Sequence, residues 1–366
     1  GDGYGHADTQ KRRAALPSKL LSRLLLPEAS SGRWVAPSGA LAMTRAIHAL
    51  RPVFRGLSRL ETWASRRDLQ GIRVERPVYV CGIARAGTTI TLDMLHQHPD
   101  AATHRYFNLP LPYLPRWGTR LIQSLPLEDR EAVERIHADR LKVTRDSPEA
   151  VEERLWMSFF DGLHDEGRSN VLDASTRNPR FERFYTDHIR KLLLVQGRTR
   201  YIVKNNNNLT RLGYLGRLFP DARFLLIVRN PVSHAASFVK QQRLFMKLGG
   251  EQPSLLRSMA IVGHYEFGPG LAFINAGRAG EVARIRERWA AGHEPEAWAM
   301  YWASLYGFVA DSLERDATLA AQSLVVRYED LCRHSGRTID AMLNHIGFAP
   351  EPFAGVRARY VESLSE

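Results

Sequence analysis

The chain has 366 residues, 44% hydrophobic and 25% charged, which is enough apolar surface for a large core and excludes global disorder. Its 51 Lys and Arg against 39 Asp and Glu leave a net charge of +12, a balance that favours anionic partners: nucleotides, nucleic acid, membrane surfaces or acidic polymers. Two cysteines, Cys81 and Cys332, exclude a disulfide framework and a cysteine-built metal cluster, and no apolar run reaches the roughly 18 residues of a spanning helix.

Residues 1–75 read as a basic, helical extension. Leu20, Leu21, Leu24 and Leu25 fall at helical spacing, as do Leu41, Ile47 and Leu50, and four prolines punctuate the stretch. Gly1 to Arg13 is polar and lacks the apolar core of a secretory signal, so the expected setting is cytoplasmic and reducing. The main domain is expected over 76–348, with insertions of about 101–170 and 243–295 and a tail at 349–366.

At Pro77 the texture changes. Val78, Tyr79, Val80 and Cys81 form a short apolar run of β character, as a buried parallel strand requires. A turn with Gly82 and Gly87 follows, and Thr88 and Thr89 open a helical pattern through Ile90, Leu92, Met94 and Leu95 that Pro99 stops. Residues 101–146 are rich in Pro, Arg and aromatics and read as an excursion. Ser147, Pro148 and Glu149 spell a helix start: a hydroxyl cap, a first-turn proline and a carboxylate at the positive end. A strand is expected at 170–173 and another at 201–203, ending in Lys204. A helix over 209–219 leads to the most strongly patterned strand, 224–228, which Arg229, Asn230 and Pro231 end. The helix from Val232 carries Ser237. After the second excursion, 298–313 is a long amphipathic helix and 324–327 a last strand.

Strands alternating with helices predict an α/β fold with a central parallel sheet covered on both faces. Ligands of such sheets bind beyond the carboxyl ends of the strands. The turn after Cys81, Lys204 and Arg229 all belong to that edge.

The segment from Val80 to Thr89 is strand, glycine turn, helix start. Unpaired N–H groups at a helix N-terminus make an anion site, Gly87 lets backbone approach phosphate, and Arg85 adds a fixed charge. The Walker A pattern places Lys before Ser/Thr; here Gly87 stands in its place, which argues against ATP or GTP hydrolysis.

On these residues the sequence resembles the sulfotransferase family. Arg85-Ala86-Gly87-Thr88-Thr89 fits its 5′-phosphosulfate loop, and arginine in the basic position is similar to the tyrosylprotein and bacterial branches. The run from Leu95 to Asp100 looks like the helix exit of those branches. Far along the chain, Arg229-Asn230-Pro231 after a strand, with Ser237 eight residues beyond Arg229, fits the 3′-phosphate motif. Arg327-Tyr328-Glu329-Asp330-Leu331 resembles a late element taken as bracing.

The resemblance covers roughly 77–348. It implies a three-layer P-loop-like fold and in-line sulfuryl transfer from 3′-phosphoadenosine 5′-phosphosulfate without a required metal. Arg85, Ala86, Gly87, Thr88, Thr89, Arg229 and Ser237 would bind the donor. Arg85, the loop amides, Thr88, Thr89 and Lys204 would stabilise the charge that builds on the phosphate and sulfuryl oxygens. The acceptor stays open among small-molecule, glycan and peptide hydroxyls or amines, and no specific nucleic-acid partner is expected.

The general base departs from the family. A His two residues after the matched lysine is replaced by Asn206, and the stretch after the helix exit, Thr103-His104-Arg105-Tyr106, holds no carboxylate. His104 is the first expectation for the base and Glu153 the second. Asp173 would orient a neighbour. Trp298, Trp302 and Tyr306, at i, i+4 and i+8, read as core. Two rivals are a P-loop-type small-molecule kinase and a basic polyanion-binding protein without catalysis.

Overall fold

The computed structural model describes residues 28–30, 33–35, 38–125, 132–135, 137, 141–278 and 280–365. The leucines expected to be helical at 20–25 lie outside them.

Five parallel strands form the central sheet: β1 (Val78–Cys81), β2 (Ala101–Ala102), β3 (Arg200–Lys204), β4 (Arg223–Val228) and β5 (Ser323–Arg327). Their order is β2-β3-β1-β4-β5. Successive side chains of a strand point to opposite faces, and the sequence obeys this closely. Tyr79, Cys81, Tyr201, Val203, Phe224 and Leu226 enter one apolar core. Val78, Val80, Ile202, Leu225, Ile227 and Val326 enter a second core on the other face. Every residue of β1 is fully buried. Burial of each large side chain stabilises by about 1.5–3 kcal/mol, and here the sheet collects that on both faces.

The first core is roofed by α1 (Pro179–Gln196), α2 (Pro231–Glu251) and α3 (Glu294–Arg315), through Phe181, Tyr185, Phe238, Trp298 and Leu305. The second is covered by the helices Thr88–Leu95, Ser335–Ile346 and Ala354–Ser365. The architecture is therefore three-layered α/β, a helical layer on each side of a parallel sheet.

Four expectations are corrected. Residues 349–366 are not a tail: they contain the helix Ala354–Ser365, Phe353 is buried, and Tyr360 Oη donates to Asp93 Oδ2 at 2.6 Å. The helix after Ser147 begins only at Glu152, because Ser147 Oγ accepts from the Thr144 N–H at 3.0 Å and the Glu149 N–H donates to the His104 carbonyl at 2.9 Å. Residues 170–173 make no strand; Asn170 N–H goes to the Asn275 carbonyl and Leu172 N–H to that of Thr210, two separate neighbours. The helix expected over 209–219 is preceded by a tighter 3₁₀ turn, Asn206–Thr210, and spans Leu212–Leu218.

The N-terminal extension is docked rather than loose over its later part. In the helix Arg51–Ala64, Glu61 pairs with Lys191 of α1 at 2.7 Å, both fully buried, and Lys191 Nζ also donates to Ser58 Oγ at 2.9 Å. Among the described residues no helix is long and apolar enough to cross a membrane.

Candidate active site

Three strand ends meet at the carboxyl edge of the sheet. β1 runs into the glycine turn, its neighbour β3 ends in Lys204, and its other neighbour β4 leads to Arg229. Sequence distance is thus cancelled by topology: the adjacent parallel strands bring residues near 85, 204 and 229 to one edge.

The glycine turn is built to a tight tolerance. Gly87 has φ +106°, a left-handed conformation that suits glycine. A Cβ there would run into the ring of Tyr328. A Cβ on Gly82 would lie 2.7 Å from the Ile227 carbonyl oxygen. Arg85 is also left-handed, at φ +70°, without glycine's freedom. Strain of that kind costs on the order of 1–3 kcal/mol and persists where surroundings over-determine it. Those surroundings are visible. Arg229 Nη1 donates to the Arg85 carbonyl at 3.2 Å, and Arg85 Nε donates to Ser237 Oγ at 3.4 Å. His234 Nε2 lies 2.7 Å from the Ala84 carbonyl oxygen, and burial pushes this imidazole down to about 4. A neutral His234 donating to that carbonyl fits both facts.

Asn230 caps α2, its side chain accepting from the Val232 and Ser233 N–H groups at 3.0 and 3.3 Å. This cap sets where the helix begins and so where Ser237, two turns on, faces Arg85. Two residues read only as core or bracing also hold the edge. Trp302 Nε1 donates to the Arg229 carbonyl at 3.1 Å, and Tyr306 Oη donates to the Ile227 carbonyl at 2.7 Å while receiving the Ile83 N–H at 3.3 Å. Tyr306 therefore ties the end of β1 to the end of β4. The late element contributes Tyr328, whose ring lies under the Arg229 guanidinium at 5.2 Å, and Glu329, whose carboxylate accepts from the Asn230 N–H at 2.9 Å.

Lys204 completes the edge. Burial lowers its pKa, against the opposing pull of Glu149 and Glu266, while Arg135 and Arg85 add to the lowering. Arg135, from the first insertion, also donates to Thr89 Oγ1 at 3.3 Å. Sequence reasoning did not single out Arg135, His264 or Glu266, and it read Glu149 only as part of a helix start. Each lies in an insertion whose sequence carries no periodic signal.

The two expected bases are both buried and engaged by neighbouring side chains. His104 is only 1% exposed, its Nε2 lies 2.8 Å from His188 Nε2, and its Nδ1 faces the Tyr201 hydroxyl at 3.3 Å. Burial pushes it down to about 3, and both ring nitrogens are engaged inside the core. Burial alone would raise the Glu153 carboxyl, but Arg211 and His164 overcome this and hold it well below the usual carboxylate range. Its oxygens accept from Arg211 at 2.7 and 2.8 Å, from Asn205 Nδ2 at 2.9 Å, and face His164 Nε2 at 2.9 Å. A carboxylate so satisfied is a strut, not a proton acceptor. Asp173 binds only the Ser175 and Thr176 turn after it and is exposed. The base roles of His104 and Glu153, and the orienting role of Asp173, have no geometric support.

Among the described residues no group of three His, Cys, Asp or Glu side chains is gathered as for a metal ion.

Residues 77–252 match the model of the sulfotransferase family. No curated protein matches the chain in sequence. Among solved structures, it is similar to sulfotransferase STF1 from Mycobacterium tuberculosis, at 18% identity and a TM-score of 0.48, over 99% of this chain and 93% of that one. It is also similar to sulfotransferase STF9 from Mycobacterium avium, at 13% identity and 0.48, over 84% and 74%. A third is a sulfotransferase from Alicyclobacillus acidocaldarius, at 16% identity and 0.36, over 80% and 96%. The matched segment 77–252 takes in the glycine turn, Lys204, Arg229 and Ser237, and it is this part of the chain that is similar to the sulfotransferase family.

Proposed function

We propose that the chain moves a sulfuryl group from 3′-phosphoadenosine 5′-phosphosulfate to an acceptor hydroxyl or amine by in-line displacement. One observation carries this reading. The two remote anion-binding motifs form a single unit, with Ser237 Oγ 3.4 Å from Arg85 Nε and Arg229 Nη1 3.2 Å from the Arg85 carbonyl. A donor with phosphate at both ends of its ribose meets such a unit better than ATP does, since ATP has no 3′-phosphate.

Arg229 and Ser237 would hold the 3′-phosphate by charge-assisted hydrogen bonds. The N–H groups of Gly87 to Thr89 and the Arg85 guanidinium would hold the 5′ end, the Ala86 N–H being bonded to the Ile83 carbonyl at 3.1 Å. Lys204, partly desolvated, would face the oxygen that leaves with the 5′-phosphate. Charge grows there as its bond to sulfur breaks, and a desolvated ammonium stabilises it more than one in water does. A reducing, cytoplasmic setting goes with this reading, supported by two free thiols, Cys81 and Cys332. The acceptor belongs to the broad class of hydroxyl- or amine-bearing small molecules, glycans and peptides.

Calorimetric titration with adenosine 3′,5′-bisphosphate, in chelator, tests the donor. Micromolar binding without Mg²⁺ is the expected outcome. Strict dependence on Mg²⁺ and ATP would overturn the reading in favour of a kinase. Strong salt-sensitive DNA binding with no bisphosphate affinity would favour polyanion binding.

A further inference from the structure

The family position for a histidine base, two residues after Lys204, holds Asn206. Its amide has a defined job. Asn206 Nδ2 donates to Glu266 Oε1 at 2.9 Å, and Glu266 Oε2 lies 3.5 Å from His264 Nδ1. A carboxylate from the second insertion is thereby fixed to the loop that follows Lys204, and an imidazole is fixed to that carboxylate. The order Asn206, Glu266, His264 repeats the logic of a base oriented by an acid, itself held by a third group.

We propose that His264 is the general base of sulfuryl transfer, with Glu266 as its positioning residue and Asn206 as the clamp on Glu266. The inference rests on the sulfuryl-transfer reading above and deepens it.

The surroundings support a proton-accepting role. His264 and Glu266 side chains are about a quarter exposed, at 24% and 25%, unlike His104 in the core. The charged groups facing His264 are Glu266 and Glu149, which favour its protonated form, and Lys204, which opposes it. Burial lowers the imidazole, but Glu266 overcomes this and the net direction is up. Glu266 itself stays ionised: burial would raise it, but His264 and Lys204 hold it down to about 2. The segment is anchored from below. Gly263, at φ +92°, packs against the Glu153 side chain, and the Tyr265 ring stacks on His164 at 4.3 Å. Glu153 thus braces both loops, through Asn205 after Lys204 and through Gly263 before His264.

The step balances. The acceptor hydroxyl oxygen uses a lone pair to form a new bond to sulfur. The bond from sulfur to the bridging oxygen breaks, and its electron pair leaves with the 5′-phosphate of adenosine 3′,5′-bisphosphate. The hydroxyl proton passes to His264 Nε2, while Glu266 stabilises the imidazolium through Nδ1.

The test uses the full chain and two readouts on His264→Ala, His264→Gln, Glu266→Gln and Glu149→Gln. The first is affinity for adenosine 3′,5′-bisphosphate. The second is bisphosphate release from 3′-phosphoadenosine 5′-phosphosulfate with water and with a panel of aliphatic alcohols, followed against pH. Both His264 variants should bind the bisphosphate within about two-fold of wild type and lose at least about 100-fold in turnover, the usual worth of a positioned base. Glu266→Gln should lose about ten-fold and move the acidic limb of the pH–kcat profile to lower pH. Wild-type turnover in His264→Ala would overturn the inference, as would its abolition in Glu149→Gln with His264→Ala unaffected. A wild-type protein that fails to bind bisphosphate would instead sink the donor reading beneath it.

Discussion

Two regions of this molecule are rich in titratable side chains, and they are built on opposite terms. Beneath the short helix Glu152–Trp156, acids and bases answer one another: Glu153 meets Arg211, Asn205 and His164; Glu152 meets the hydroxyls of Tyr185 and Tyr201; His104 meets His188. At the carboxyl edge of the sheet, cations collect instead. Arg85 and Arg135 both lie close enough to act on Lys204, and Arg229 is bonded to the backbone of Arg85. Paired charges in the core specify packing; like charges gathered at a strand edge specify an anion. Both regions hold histidines and carboxylates, so residue type alone does not tell a base from a strut. What separates them is the balance of charge around each group: acids and bases paired in the core, an excess of cations at the edge.

The largest expected effect breaks the core pair. Arg211→Ala leaves the buried Glu153 carboxylate without its bidentate partner, which should cost about 3–5 kcal/mol of stability. The Arg211 guanidinium also packs over the Trp156 ring at 4.6 Å, so packing is lost with the charge. Denaturant unfolding measures it. A change below 1 kcal/mol would show that the region is not held by this pair.

Glu152 gives the same region a pH signature. Burial pushes its carboxyl up to about 7, against the hydrogen bonds from Tyr185 and Tyr201. The folded state therefore binds a proton that the unfolded chain has released, and stability falls as pH rises from about 4.5 to about 7. Glu152→Gln should remove that slope and gain up to about 3 kcal/mol at pH 8. His104 contributes with the opposite sign. Its lowered pKa makes stability fall as pH drops from 6.5 towards 3, so the two slopes oppose each other around pH 5–6. Unfolding curves at pH 5, 6.5 and 8 resolve them, and an unchanged slope in Glu152→Gln would refute the assignment.

How much of this was written in the sequence depends on whether a residue's partner is local. The unbroken apolar runs in Val78–Cys81 and Arg223–Val228 supply both sheet faces, and those strands were legible. So was the meeting of Gly87, Arg229 and Ser237 at one edge, because they stand at strand and helix ends that periodicity locates. The edge strand Ala101–Ala102 was not, since two alanines carry no pattern. Nor were the struts. Glu152 and Glu153 look like a solvated helix face, and only long-range partners such as Tyr201 and Arg211 reveal them as core. His264 and Glu266 lie in an aperiodic insertion, and their partner Asn206 is about sixty positions away. The one sequence signal was the asparagine itself, standing where a base was expected.

At the sheet edge the effects move from stability to binding. Arg229→Ala should cost far less stability than Arg211→Ala, about 1–2 kcal/mol, since it removes one part-buried hydrogen bond to the Arg85 carbonyl and a stack on Tyr328. It should weaken adenosine 3′,5′-bisphosphate binding by about 10- to 100-fold, the worth of a charge-assisted bond to phosphate. Adenosine 5′-phosphate, which lacks the 3′ group, should be affected far less. Equal losses for both nucleotides would mean that Arg229 acts only by shaping the Arg85 turn.

Ser237→Ala is the smallest and most discriminating change. Removing a neutral hydroxyl should cost bisphosphate binding about three- to ten-fold. Yet Ser237 and Arg229 both converge on Arg85, one at its side chain and one at its carbonyl. Residues sharing a partner are not additive, so the double variant should lose less than the product of the two single losses. Calorimetry on the four proteins of the cycle measures that coupling. Full additivity would mean that Arg229 and Ser237 act on the bound phosphate independently of one another. That outcome would weaken the contrast with the core, because the edge would then be a row of independent donors rather than one coupled site.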